Sequence, residues 1–174
     1  MTDCKYGYAT HEKTQRLSLL RSPKGPDEDA DMGQHKFKYA IYPHIGNFSV
    51  SNVMQSALEF NTPISIRNGD GTEVCSGEMI SSLFYLEPSR EIIIDTVKLA
   101  EDDQGQGNQV ILRLYEAYGG KSTAVLKSSL NINKIQISNV LEDDTGETLE
   151  RNLDGNFIVT LKPFQILTLK VDLN

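Results

Sequence analysis

Asp27, Asp29 and Asp31 alternate in "PDEDADMGQHK", an arrangement of carboxylates that could begin a calcium loop. A calcium loop of the helix–loop–helix kind needs glycine at its sixth position and glutamate at its twelfth. Those positions hold Met32 and Lys38, which argues against calcium. Two readings of the loop then stand. It is a solvated acidic turn, or it is locked by ion pairs from Arg21 and Lys24. His11, His35 and His44 fall into no zinc-ligand spacing, and each reads as a surface or hydrogen-bonded histidine. Cys4 and Cys75 are far apart and read as two free thiols rather than a long-range disulfide. "GQGNQV" lacks the third glycine of a dinucleotide fingerprint, and no G-x-S-x-G elbow occurs. Asn47-Phe48-Ser49 matches a glycosylation acceptor and reads as a chance match. Glu116 lies late in the apolar run "QVILRLYEAY". A buried acid there needs a partner, either Arg113 or a neighbouring strand, and reads as structural before catalytic.

The elements that must position these residues are mostly strands. "FQILTLKVDL" puts Leu167, Leu169, Val171 and Leu173 on one face, and "FIVTL" does the same for Phe157, Val159 and Leu161. "AVLKSSLNI" aligns Leu126, Leu130 and Ile132, and "KFKYAIYP" aligns Phe37, Tyr39 and Ile41. "EIIIDTVKL" and "QVILRLYEAY" are apolar on both faces over part of their length, as central strands are. "SVSNVMQSALEF" alone has helical spacing, which predicts one short helix near residues 50–59, capped by Ser49 or Ser51 and packed on the core. Asn68-Gly69, Asp70-Gly71 and "LDGNF" are turn signals, and "EDDQGQGNQ" and "LEDDTGETL" are acidic loops. The prediction is an all-β chain, an antiparallel β-sandwich with one short helix, forming a single domain over residues 1–174.

Composition narrows the function. The chain has 174 residues, 39% hydrophobic and 24% charged, with a formal net charge of −7. Such acidity argues against nucleic acid and against an anionic membrane surface as partners. No apolar run approaches the roughly 20 residues that span a bilayer. The N-terminal "MTDCKYGYATHEK" has no signal-peptide core, so the chain reads as cytoplasmic.

Several stretches together resemble a known family: "DCKYGY", "QRLSLLRSPKGPD", "ADMGQHKFKYAIYPHIG", "VILRLYEAYGGKSTAVL" and "LKPFQILTLKV". They are similar to the C-terminal β region of glycoside hydrolase family 38 α-mannosidases, in the branch with cytosolic and vacuolar members. The resemblance runs from Asp3 to about Val171. It implies a fragment of an enzyme that removes terminal α-linked mannose from oligosaccharides with retention. It places the aspartate nucleophile and a divalent metal, zinc or cobalt, in an upstream catalytic domain, and assigns this chain no cofactor or catalytic residue of its own. It implies the catalytic domain as partner, mannose oligosaccharide as a ligand reached through the parent enzyme, and a cytoplasmic or vacuolar setting. It implies that Arg21, Asp27, Asp31 and His35 wall the sugar pocket or brace the domain interface. It also implies an unpaired sheet edge or apolar patch where upstream structure is missing. A stand-alone carbohydrate-binding or interaction β-sandwich is the competing expectation. A free-standing lectin needs exposed aromatics, and the chain has no Trp and seven Tyr that lie mostly in predicted strands.

Overall fold

The computed structural model describes residues 6–66, 82–88, 90–103 and 107–174. Cys4, Cys75 and the Asn68–Gly71 turn signals lie outside the described residues. The chain divides into two compact units, Met1–Asn68 and Gly69–Asn174.

The second unit is the β-sandwich. Its strands are β3 (Phe84–Glu87), β4 (Ile92–Leu99), β5 (Gln109–Glu116), β6 (Ser122–Ser128), β7 (Ile132–Ser138), β8 (Asp144–Thr148), β9 (Phe157–Leu161) and β10 (Ile166–Leu173). Five form one antiparallel sheet in the order β4-β5-β10-β7-β8, and three form the other in the order β3-β6-β9. Period-two alternation brings one face of each sheet inward. Leu112, Leu114, Ile135, Leu169 and Val171 of the larger sheet meet Phe84, Leu126, Phe157, Val159 and Leu161 of the smaller in one core. Leu167 and Leu173 pack against the same core, as the β10 alternation requires. Burying such side chains supplies roughly 1.5–3 kcal/mol each before entropy is charged against it.

Three expectations need correction here. "AVLKSSLNI" is two strands, not one. Residues 129–131 carry the chain from β6 in one sheet to β7 in the other, so Leu126 and Ile132 enter the core from opposite sides. A Ser-Ser-Leu-Asn crossover preserves alternation by eye while reversing the face. Among the described residues "EIIIDTVKL" is an edge strand, not a central one: β4 pairs there with β5 alone, has a bulge at Asp95, and leaves Val97 and Leu99 exposed. "LEDDTGETL" contains β8, an exposed edge strand, with Gly146 at φ +82. β5, by contrast, is flanked on both sides and buried along its middle, as its sequence indicates.

The first unit is built differently. Strands β1 (Tyr8–His11) and β2 (Thr14–Leu17) form a hairpin. A 3-10 turn over Phe48–Val50 leads to helix α1 (Val53–Asn61). The helix begins later than its periodicity suggests. Its N-cap is Asn52, and Ser51 contributes by accepting the Val53 N–H at 3.4 Å while donating to the Phe48 carbonyl at 2.8 Å. No residue of α1 is buried, so its apolar stripe does not form the core that was expected of it. "KFKYAIYP" forms no named strand. Within it Tyr39 makes a single β-bridge, and a strand needs such pairing along its length.

Candidate functional site

The acidic loop has one organising residue, Asp31. Its carboxylate accepts the Tyr6 hydroxyl at 2.5 Å and the Ser22 N–H at 3.0 Å. His35 closes the loop from the other side, with Nε2 at 2.8 Å from the Asp31 carbonyl oxygen. The Tyr6 hydroxyl first, then the Ser22 N–H, hold the Asp31 carboxyl below the ordinary aspartate value, and His35 adds in the same direction. Asp31 and Ser22 both adopt positive φ, 61° and 45°, a conformation that non-glycine residues keep only when surrounding contacts fix it. The His35 ring stacks on Phe37 at 6.0 Å between centroids.

Of the four expected residues, Asp31 and His35 are brought together. Asp27 does something more local, accepting the Asp29 N–H at 3.0 Å in a two-residue turn. Arg21 contributes its backbone to Asp31. Neither Arg21 nor Lys24 forms an ion pair with the loop carboxylates, so the expected lock of ion pairs is replaced by hydrogen bonds to Asp31. Tyr6 is the partner that sequence reasoning missed. It lies 25 residues from Asp31, and no spacing rule joins a hairpin flank to a loop at that distance.

Two carboxylates hold the second unit's turns. Glu116 is 1% exposed and accepts the N–H groups of Tyr118 at 2.8 Å, Gly119 at 2.7 Å and Phe164 at 2.9 Å. Burial opposes its charge, but the N–H groups of Phe164, Tyr118, Gly119 and Gly120 outweigh that and hold the carboxyl below the ordinary glutamate value. It therefore pins the β5–β6 turn to the β9–β10 turn. Its partners are backbone amides, not Arg113. Arg113 instead donates to the Val140 carbonyl at 3.0 Å and sits 3.6 Å from Glu142. Glu142 pairs with Lys98 at 2.6 Å and accepts the Glu101 N–H at 2.9 Å, which ties the β7–β8 loop to the end of β4 and to the β4–β5 connection. These carboxylates are saturated by structural contacts, and none is placed as an acid–base pair across an open cleft.

A shallow polar depression of about 320 Å³ lies in the second unit between Asp102, Asn108, Gln109, Asn133 and Asp172. Asp103, which also lines it, accepts the N–H groups of Asn108 and Gln109, both at 2.9 Å. Among the described residues no group of three or more His, Cys, Asp or Glu side chains could hold a metal ion. The described residues thus offer no ligand set for the divalent metal that the sequence resemblance implies, and no chemistry is assigned to one here. No helix among the described residues is long and apolar enough to cross a membrane.

Two facing antiparallel sheets with a shared apolar core define the second unit as a β-sandwich. Residues 91–169 match the family model for "Glycosyl hydrolases family 38 C-terminal beta sandwich domain", and that part of the chain belongs to this family. The similarity to curated proteins extends further. The chain is 34% identical over 187 residues to Alpha-mannosidase of Saccharomyces cerevisiae, covering 98% of the chain and 17% of the relative. It is 35% identical over 173 residues to Alpha-mannosidase G of Dictyostelium discoideum, covering 98% of the chain and 15% of the relative. It is 35% identical over 171 residues to human Alpha-mannosidase 2C1, covering 97% of the chain and 16% of the relative. The chain thus spans about a sixth of the length of the curated relatives it matches.

Proposed function

We propose that this chain is the C-terminal β region of an α-mannosidase that removes terminal α-linked mannose from oligosaccharides. In this reading it packs on a catalytic domain that holds the nucleophile and a divalent metal, zinc or cobalt, and works in the cytoplasm or vacuole. The observation that carries the reading is the similarity to α-mannosidases over 97–98% of the chain, both units included. The loop of Arg21, Asp27, Asp31 and His35 helps wall the sugar pocket. Asp31 is the pin, because its carboxylate holds the Tyr6 hydroxyl and the Ser22 N–H while its backbone carbonyl meets His35 Nε2. Fixing polar groups before binding lowers the ordering cost of recognising sugar hydroxyls. The Arg21 guanidinium has no ion pair with the loop's own acids, which leaves its planar fork for a sugar hydroxyl or a catalytic-domain acid.

The test uses a full-length α-mannosidase carrying this chain as its matching region. Arg21→Ala is expected to lower kcat/KM on an aryl α-mannoside by roughly 30- to 150-fold, about 2–3 kcal/mol, with little change in melting temperature. Asp31→Asn is expected to copy that loss, and Asp27→Asn to have less effect. Near-normal kcat/KM in all three, with lowered melting temperatures, would make the loop a brace rather than a pocket wall.

A further inference from the structure

Among the described residues of the first unit, no apolar side chain is buried. Its apolar residues are instead concentrated on the outside: Ile45 is 98% exposed and Ile41 89%, and Tyr39, Phe48 and Val50 are exposed as well. From Met32 to Leu58 the sequence has no carboxylate at all, although the whole chain carries a net charge of −7. Five large apolar side chains exposed within twelve residues of chain are what an interaction surface is built from.

The segment is not an unformed loop. The Val50 N–H donates to the Asn47 carbonyl at 3.0 Å, the Ser51 N–H to the Phe48 carbonyl at 3.1 Å, and the Ser51 hydroxyl to the same carbonyl. Gly46 sits at φ +83, and a Cβ there would lie 2.7 Å from the Val50 methyl, so the turn closes tightly on itself. These bonds hold the backbone of residues 47–51 in a turn on which Phe48 and Val50 are exposed. Preformed apolar anchors around a hydrogen-bonded turn are what a docking surface needs, because little ordering cost remains at contact.

We propose that Tyr39, Ile41, Ile45, Phe48 and Val50 form a docking face, and that its occupant is the remaining polypeptide of an α-mannosidase. The proposal rests on the reading under Proposed function and adds the surface to it. The occupant follows from the relatives. In each, the region matching this chain, exposed segment included, lies within a polypeptide about six times as long. A covalently attached partner acts at high effective concentration, so this face needs no independent affinity to stay covered.

The experiment places this chain in Dictyostelium α-mannosidase G in exchange for the matched region. Hydrogen exchange of residues 39–50 is then compared in that chimera, in the 174-residue chain alone, and at the matched positions of unmodified α-mannosidase G. Exchange in both long polypeptides is expected to be slower by about 100-fold than in the chain alone. Ile41→Asp with Ile45→Asp should remove that protection from the chimera, whereas Leu153→Asp, an exposed apolar position in the second unit, should leave it intact. Equal exchange in long and short polypeptides overturns the proposal. So does protection that appears in the short chain as its concentration rises and tracks dimer formation, which would make a second copy the occupant. Turnover of an aryl α-mannoside by the chimera reports separately on the enzyme reading. An active chimera with residues 39–50 unprotected sinks the docking face and leaves that reading standing, and an inactive but protected chimera does the reverse.

Discussion

Glu116 is the clearest case of a residue whose chemistry is turned wholly to structure. Among the described residues no cation pairs with it, yet its carboxylate is kept charged by N–H groups from two separate turns. Replacing one oxygen by an amide sets a donor against those donors. Glu116→Gln is therefore expected to destabilise the second unit by about 2–4 kcal/mol, read as a lower urea midpoint with an unchanged m-value. Its pH dependence has a definite sign. The folded-state carboxyls of Glu116 and Glu142 lie below the ordinary glutamate value, 4.5. The stability they contribute is present above that value and is lost as pH falls through it toward the folded-state values. The urea midpoint should hold steady from pH 7 to about 5.5 and fall below about 4.5, and Glu116→Gln should flatten that fall. A midpoint that rises on acidification would show that these carboxylates are not what the fold depends on.

Between strands, the turns impose their own demands. Gly119 follows β5 at φ +80, and a Cβ there would lie 2.7 Å from Cζ and 3.0 Å from Cε2 of the Phe164 ring. The β5–β6 turn thus closes over the β9–β10 turn through a position that only glycine fills without strain. Gly119→Ala is expected to cost about 1–3 kcal/mol and to spare β3 and β8, which can be followed by residue-resolved hydrogen exchange. The Lys98–Glu142 pair plays the parallel part on the larger sheet, tying edge strand β4 to the β7–β8 loop. Lys98 is well exposed and Glu142 is not, so Glu142→Ala should cost more than Lys98→Ala, about 1–3 against ~0.5 kcal/mol. Equal losses in a urea series would mean that the ion pair, rather than the half-buried Glu101 N–H contact, carries the tie.

Over the whole molecule, the two units differ in what holds them. The second has a contiguous apolar core drawn from two sheets, whereas the first is held by a hairpin, a short helix and the hydrogen bonds of Asp31. Local opening free energy follows buried apolar contact. Limited trypsin digestion of the 174-residue chain should therefore cut at Arg21, Lys24, Lys36 or Lys38 well before Arg113, Lys127 or Lys134. A product retaining β3 to β10 should persist. Early cleavage within β5, β6 or β7 would contradict this division of stability.

Alternation alone was enough to read β9 and β10 from the sequence, because a side chain's face in a strand depends only on its parity, and a run apolar on both faces marked β5 as central. The residues that carry the resemblance also lead to the family in which residues 91–169 belong. The amphipathic helix was legible as to type, though its start was displaced by the 3-10 turn before it. Other features were decided only in three dimensions. Whether "EIIIDTVKL" lies at an edge or in the middle depends on how many strands pair with it, which no local pattern encodes. The crossover at residues 129–131 hid behind intact periodicity for the same reason. In the acidic loop, sequence pointed to Arg21, Asp27, Asp31 and His35 with equal weight. Tertiary structure singled out Asp31, because the Tyr6 hydroxyl that fixes it arrives from 25 residues away. Glu116 was recognisable as an acid in need of a partner. That the partners are backbone N–H groups from two turns, one of them 48 residues distant, follows from the sheet pairing that sets those turns side by side.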